Sequence, residues 1–155
     1  MKTKDMQLET LLPLIEEQLA QGKCVRFMPH GVSMLPMLRE GIDSVTLSPV
    51  KERLKKYDLP LYRRDNGNFV LHRIILSGET YTAMGDNQFV PEPGLRHDQM
   101  IAVVTAFTRG KREISVTCWH YRTYCRFWHY SRPFRHFVCR AIGKIKRTAK
   151  SMLKR

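Results

Sequence analysis

Residues 59–76 read LPLYRRDNGNFVLHRIIL. Two runs rich in branched and aromatic side chains flank DNGN at 65–68, where an Asn-Gly pair supplies the positive φ angles of a tight hairpin turn. The stretch therefore predicts an antiparallel pair of strands. Working outward, the same short β-type runs recur: VRFMP (25–29), SVTLSPV (44–50), TYTAMG (80–85), MIAVVTAF (100–107) and REISVTC (112–118). Each is bounded by turn residues. Strands packed this closely predict one mostly β, antiparallel domain over 23–118 with little room for helices.

Both flanks differ from this middle part. Leu8, Leu11, Leu12, Ile15 and Leu19 are spaced to share one face of a helix over 5–21, with Gly22 as its stop, and Pro13 is tolerable if it lies in the first turns. Residues 1–22 are thus read as an amphipathic helix. Residues 119–155 form an aromatic and basic extension whose last part, 132–155, reads as a cationic amphipathic helix. Its apolar stripe runs through Phe134, Phe137, Val138, Ala141, Ile142, Ile145, Ala149, Met152 and Leu153. The fold class expected is β+α.

The 155 residues suit one domain, and 43% hydrophobic content is enough for a core. The formal net charge of +13 is unevenly distributed. Residues 1–108 carry 13 basic and 13 acidic residues, whereas 109–155 carry 14 basic residues and the single acid Glu113. A neutral domain with a basic tail points to an anionic surface as partner, and 132–155 is the segment expected to touch an anionic membrane. No run approaches the roughly 20 apolar residues of a spanning helix. Glu9, Glu16 and Glu17 interrupt the leucines near the N-terminus, so no signal peptide is read there. The expected location is cytoplasmic, peripheral at the inner membrane face. The four cysteines Cys24, Cys118, Cys125 and Cys139 are expected to be reduced thiols, with Cys24 and Cys139 acting as small apolar side chains.

Three boxes carry chemistry. In HGVSMLPML (30–38), Gly31 and Pro36 bracket Ser33 in a turn that can expose a nucleophilic hydroxyl beside backbone N–H donors. In NFVLHRII (68–75), period-two alternation puts His72 on the face of Val70 and Ile74, where an imidazole titrating near neutrality can act as general base. In MGDNQ (84–88), Asp86 is a turn carboxylate able to orient that imidazole.

Together these boxes resemble the superfamily of serine peptidases that contains type I signal peptidases and LexA-type repressors. The matching residues are Gly31, Ser33, Met34, Pro36 and Leu38, then Gly41, Asp43 and Val45, the tyrosine-bearing strand 59–63, Val70-Leu71-His72-Arg73-Ile74, Gly85-Asp86-Asn87, and Ile101-Ala102-Val103-Val104. The likeness covers about 24–108 and is nearest to the Ser-His, endoplasmic-reticulum-type branch. It implies a coiled β-sheet domain, Ser33 as nucleophile, His72 as base and Asp86 as the completing acid. Glu92 or Asp98 would be a second acid, and Gly31, Met34 and Pro36 would contact a peptide or protein substrate. No cofactor is implied. Two departures stand out: a short helix stands where signal peptidases carry a membrane anchor, and Gly31 occupies a position where some members have a hydroxyl donor.

Other readings compete. A LexA-type regulator, or a binding module without activity, would use the same domain, but 22 residues are too few for a helix-turn-helix unit and the lysine base is missing. The aromatics Trp119, Tyr121, Tyr124, Phe127 and Trp128 could stack on nucleic acid, yet large aromatics more often bury themselves, and here they are expected to cover the open side of the β domain. Cys118, His120, Cys125 and His129 lack knuckle spacing, so no zinc site is expected.

Overall fold

A computed structural model describes the chain over residues 3–152, with side chains described over 11–142. The chain forms helix α1 (Thr3–Ala20), strands β1 (Val25–Phe27), β2 (Val45–Pro49), β3 (Pro60–Arg63), β4 (Phe69–Leu71), β5 (Arg73–Ser77), β6 (Tyr81–Met84), β7 (Glu92–Leu95), β8 (Met100–Arg109) and β9 (Arg112–Ser115), and helices α2 (Trp119–Tyr130) and α3 (Arg132–Met152). The mostly β, antiparallel reading with helices at both flanks holds.

The larger sheet runs β1-β2-β8-β3-β4, with β9 also on β8. β8 is long enough to pair β2 along one edge, and β3 and then β9 along the other. The smaller sheet is β5-β6-β7. The DNGN hairpin forms as expected, with Leu61 opposite Leu71 and Arg63 opposite Phe69, and Gly67 at φ +86° supplies the left-handed turn residue.

One expectation is revised here, and it concerns the site. NFVLHRIIL is not a single strand: β4 belongs to the larger sheet, β5 to the smaller one, and His72 is the residue between them. The chain changes sheets there because its side chains serve two cores. Leu71 joins Leu61, Val45, Leu47, Ala102 and Val104 in the first core, whereas Ile74 joins Tyr62, Tyr81, Ala83 and Met100 in the second. β7, whose Glu-Pro-Gly composition carries no β signal, completes the smaller sheet.

The flanking helices contribute to the first core: Ile15 and Leu19 from α1, Tyr121 and Cys125 from α2. Gly22, at φ +75°, ends α1 with its N–H donating to the Leu19 carbonyl. One detail of α1 differs from expectation. Leu11 is exposed rather than on the buried face; Pro13 lies inside the helix, beyond its first turns, and Leu8 falls outside the described side chains. α2 buries only part of its aromatic set, leaving Trp119, Phe127 and Tyr130 outside. Cys24 and Cys139 are exposed instead of packed as apolar groups, and Cys24 Sγ lies 3.1 Å from Ser48 Oγ.

No described helix is long and apolar enough to cross a membrane.

Candidate active site

Ser33 sits in the turn between β1 and β2, half-buried, with Met34 beneath it in the first core. Gly31 opens this turn at φ +98°, a backbone conformation that a β-carbon would strain. Asn87 donates its N–H to the Ser33 carbonyl at 2.8 Å and its side-chain amide to the Val32 carbonyl at 3.2 Å. Later in the same β1-β2 connection, Asp43 is fully buried and takes both arms of the Arg39 guanidinium at 2.8 Å, an ion pair that holds its carboxyl down at about 2. Gly85 is where the two loops touch: a β-carbon there would lie 2.6 Å from the Ser33 carbonyl oxygen, so only glycine lets Gly85-Asp86-Asn87 approach the serine turn.

Ser33 and His72 line one cavity of about 210 Å³, together with Gly31, Met34, Arg64 and Gln88. The His72 ring is buried, and its Nδ1 lies 3.3 Å from the Tyr62 hydroxyl. That hydroxyl donates its proton to Glu92 Oε2 at 2.7 Å. Having spent its only proton, Tyr62 can meet Nδ1 only as an acceptor, so Nδ1 carries the hydrogen and Nε2 is left with a free lone pair. Glu92 Oε2 is itself 3.8 Å from Nδ1. Arg64 grips Glu92 with two bonds of 2.6 and 2.7 Å. Partial burial pushes the Glu92 carboxyl up, but the Arg64 bonds and the Tyr62 hydroxyl outweigh it and hold the group below its usual range.

Burial, followed by the positive charge of Arg64, pushes His72 down to about 4, while Glu92 and Asp86 act the other way. The imidazole is therefore neutral at pH 7, the state in which it can accept a proton. Tyr62 is driven well above its usual range, by burial first and by Glu92 second, and stays protonated.

The acid beside His72 is thus Glu92, not Asp86. The change of sheet explains the exchange: His72 lies between β4 and β5, and Arg73, the first residue of β5, sends its side chain to Tyr121, Cys125 and Met37 and not toward Tyr62 and Glu92. It ends fully buried, where a guanidinium requires a counter-charge. Asp86, equally buried, supplies it through bonds of 2.8 and 2.7 Å. Asp98, the other acid considered, is exposed and pairs with Arg96 at 3.2 Å.

Of the residues expected to touch substrate, Gly31 and Met34 line the cavity. Pro36 is exposed outside it, its carbonyl bonded by Arg109, and borders an apolar groove with Leu35, Phe89, Trp128 and Phe134. Tyr62 and Arg64 carry no catalytic signal in the sequence, because a tyrosine and an arginine on a hairpin read as core and surface. Only the β3-β4 register, which sets Tyr62 opposite Val70, brings them to His72. Among the described residues no cluster of three or more metal-ligating side chains converges. Cys125 is buried against Arg73, and His129 packs edge-on against Tyr57.

Compared with known proteins, the chain matches no protein-family model, no curated protein and no solved structure.

Proposed function

We propose that the protein is a serine endopeptidase, with Ser33 as nucleophile, His72 as general base and Glu92 as the acid that steadies the imidazolium. The observation that carries this reading is the shared cavity. A serine held in a rigid turn and a buried, neutral histidine with an acid behind its Nδ1 face the same space. In the reaction this supports, His72 Nε2 takes the Ser33 proton as Oγ attacks the peptide carbonyl. The imidazolium then gives that proton to the leaving amine, and the acyl-serine ester is hydrolysed by water activated through the same nitrogen. Gly31 has no side chain to help, so backbone N–H groups of the turn must hold the oxyanion. A fluorophosphonate probe should label the full chain and fail on Ser33→Ala and His72→Ala variants that melt at the wild-type temperature. Equal labelling of wild type and Ser33→Ala would remove the assignment.

A second element of the proposal is peripheral binding to an anionic membrane, and the exposed aromatic face of α2 and α3 favours it. Phe134 and Phe137 are each 71% exposed, and Trp119, Phe127, Tyr130 and Ile142 are also open to solvent. Arg122, Arg126 and Arg140 are exposed among them, and no acid occurs after Glu113. The rest of the expected stripe, 143–155, lies outside the described side chains. Each basic residue at an anionic leaflet contributes about 1 kcal/mol. Phe137→Asp should release the protein from phosphatidylglycerol vesicles without lowering its melting temperature. Wild-type protein that stays in the supernatant at low salt would dismiss this element.

A further inference from the structure

The likeness to serine peptidases ends near residue 108, yet the loop that holds the nucleophile is gripped by the two C-terminal helices beyond that point. Asp86 is the point of contact. Its main-chain carbonyl accepts the Trp128 indole N–H at 2.8 Å and an Arg135 N–H at 3.2 Å. Its carboxylate accepts the Tyr124 hydroxyl at 3.2 Å in addition to Arg73. Arg135 is itself locked: its guanidinium lies 3.7 Å above the Trp128 ring, and its Nη2 donates to the Trp128 carbonyl at 2.8 Å. Further along the loop, Phe89 stacks on His136 with ring centres 4.7 Å apart. The two neighbours of Asp86 in sequence are the residues that meet the serine turn: Gly85 approaches the Ser33 carbonyl, and Asn87 bonds Ser33 and Val32.

We infer that the α2-α3 hairpin belongs to the catalytic unit and that Trp128 and Arg135 are positioning residues, fixing Ser33 through Asp86 and Asn87.

The physical case rests on which groups are held. A carbonyl that takes two N–H donors, one from a ring packed under an arginine, cannot rotate without losing both. Asn87 comes directly after that carbonyl, so turning the Asp86 peptide would swing the Asn87 N–H off the Ser33 carbonyl. Ser33 has no secondary-structure ladder of its own to define its position. A misplacement of about 1 Å is enough to cost on the order of a hundredfold in rate. Arg73 ties the same hairpin to the other side of the serine turn, bonding Tyr121 at 2.7 Å and Met37 Sδ at 2.9 Å.

This inference rests on the peptidase reading, so the test pairs labelling with a readout that does not need activity. Trp128→Phe keeps an aromatic ring under the guanidinium and removes the N–H, and Arg135→Met keeps the stem and removes the guanidinium. In the full chain, each should lower the maximal fluorophosphonate labelling rate by about tenfold or more, with the half-saturating probe concentration within about twofold. The acid limb set by His72 should not move. Arg135→Lys, which retains a donor, should recover part of the rate. Thr123→Ala, exposed on α2, serves as the packing control. Amide exchange at Asn87 should accelerate in Trp128→Phe while the melting temperature holds. Wild-type labelling rates in both variants, or unchanged Asn87 protection, would overturn the inference. If the wild type takes no label, the peptidase reading has failed, and Asn87 exchange alone decides whether the hairpin holds the loop.

Discussion

Exchanging the carboxylates Glu92 and Asp86 for amides, one at a time, should give two different failures. Glu92 Oε2 lies 3.8 Å from His72 Nδ1. At the effective dielectric of a partly buried pair, opposite charges at that distance attract by about 4 kcal/mol. The attraction exists only once the imidazole is protonated, which in the proposed mechanism accompanies attack by Ser33, so Glu92→Gln would remove it from that transition state and leave Arg64 facing the imidazolium. The expected loss is up to about a thousandfold in labelling rate, since each 1.36 kcal/mol is tenfold. A glutamine that keeps the Tyr62 and Arg64 bonds would recover part of it. Asp86 instead neutralises a fully buried arginine. Asp86→Asn leaves that charge uncompensated at a cost of about 3–5 kcal/mol, which for a chain of this length corresponds to about 10 °C or more in melting temperature. Labelling rates over a probe titration, paired with thermal melts, separate the two. The reasoning is refuted if Asp86→Asn abolishes labelling at an unchanged melting temperature while Glu92→Gln labels like the wild type.

The same geometry sets two other outcomes. Because His72 is held down to about 4, the labelling rate should stay level from pH 8 to about 5 and fall only below that, whereas a histidine titrating near its ordinary 6.5 would lose rate already at pH 6. Stability shares the sign: the unfolded chain binds the His72 proton first, so this contribution is complete above pH 6.5 and is lost as pH falls toward 4, which a melting series against pH would register. A Gly85→Ala variant must push backbone from backbone, since its β-carbon would stand 2.6 Å from the Ser33 carbonyl oxygen. It should cost about 1–3 kcal/mol by overpacking and depress labelling more than its melting temperature implies; near-wild-type labelling would show that the two loops need not touch.

The chain itself determined most of the elements and the two residues proposed as the reactive pair. Period-two runs, the Asn-Gly turn and the glycine stop after α1 are local signals, set by sterics within a few residues, and most appear where the sequence places them, the break at His72 and strand β7 being the exceptions. Ser33 and His72 were legible as candidates because turn chemistry and β-type runs are also local, although His72 lies between β4 and β5 and not on a strand face. What no local pattern carries is which buried charge meets which. The change of sheet at His72 sends the next residue, Arg73, into the other interior, and an unpaired guanidinium there would be prohibitive, so it takes Asp86 as its partner. The β3-β4 register and the position of β7 then bring Tyr62, Arg64 and Glu92 behind the imidazole. The C-terminal aromatics were visible as a cluster, but their division into Tyr121 in the core, Trp128 on the Asp86 carbonyl and Phe137 in solvent depends on where α2 and α3 dock. Pairing across long sequence separations is decided by the cost of leaving a buried polar group unsatisfied, and that cost exists only once the chain has folded around it.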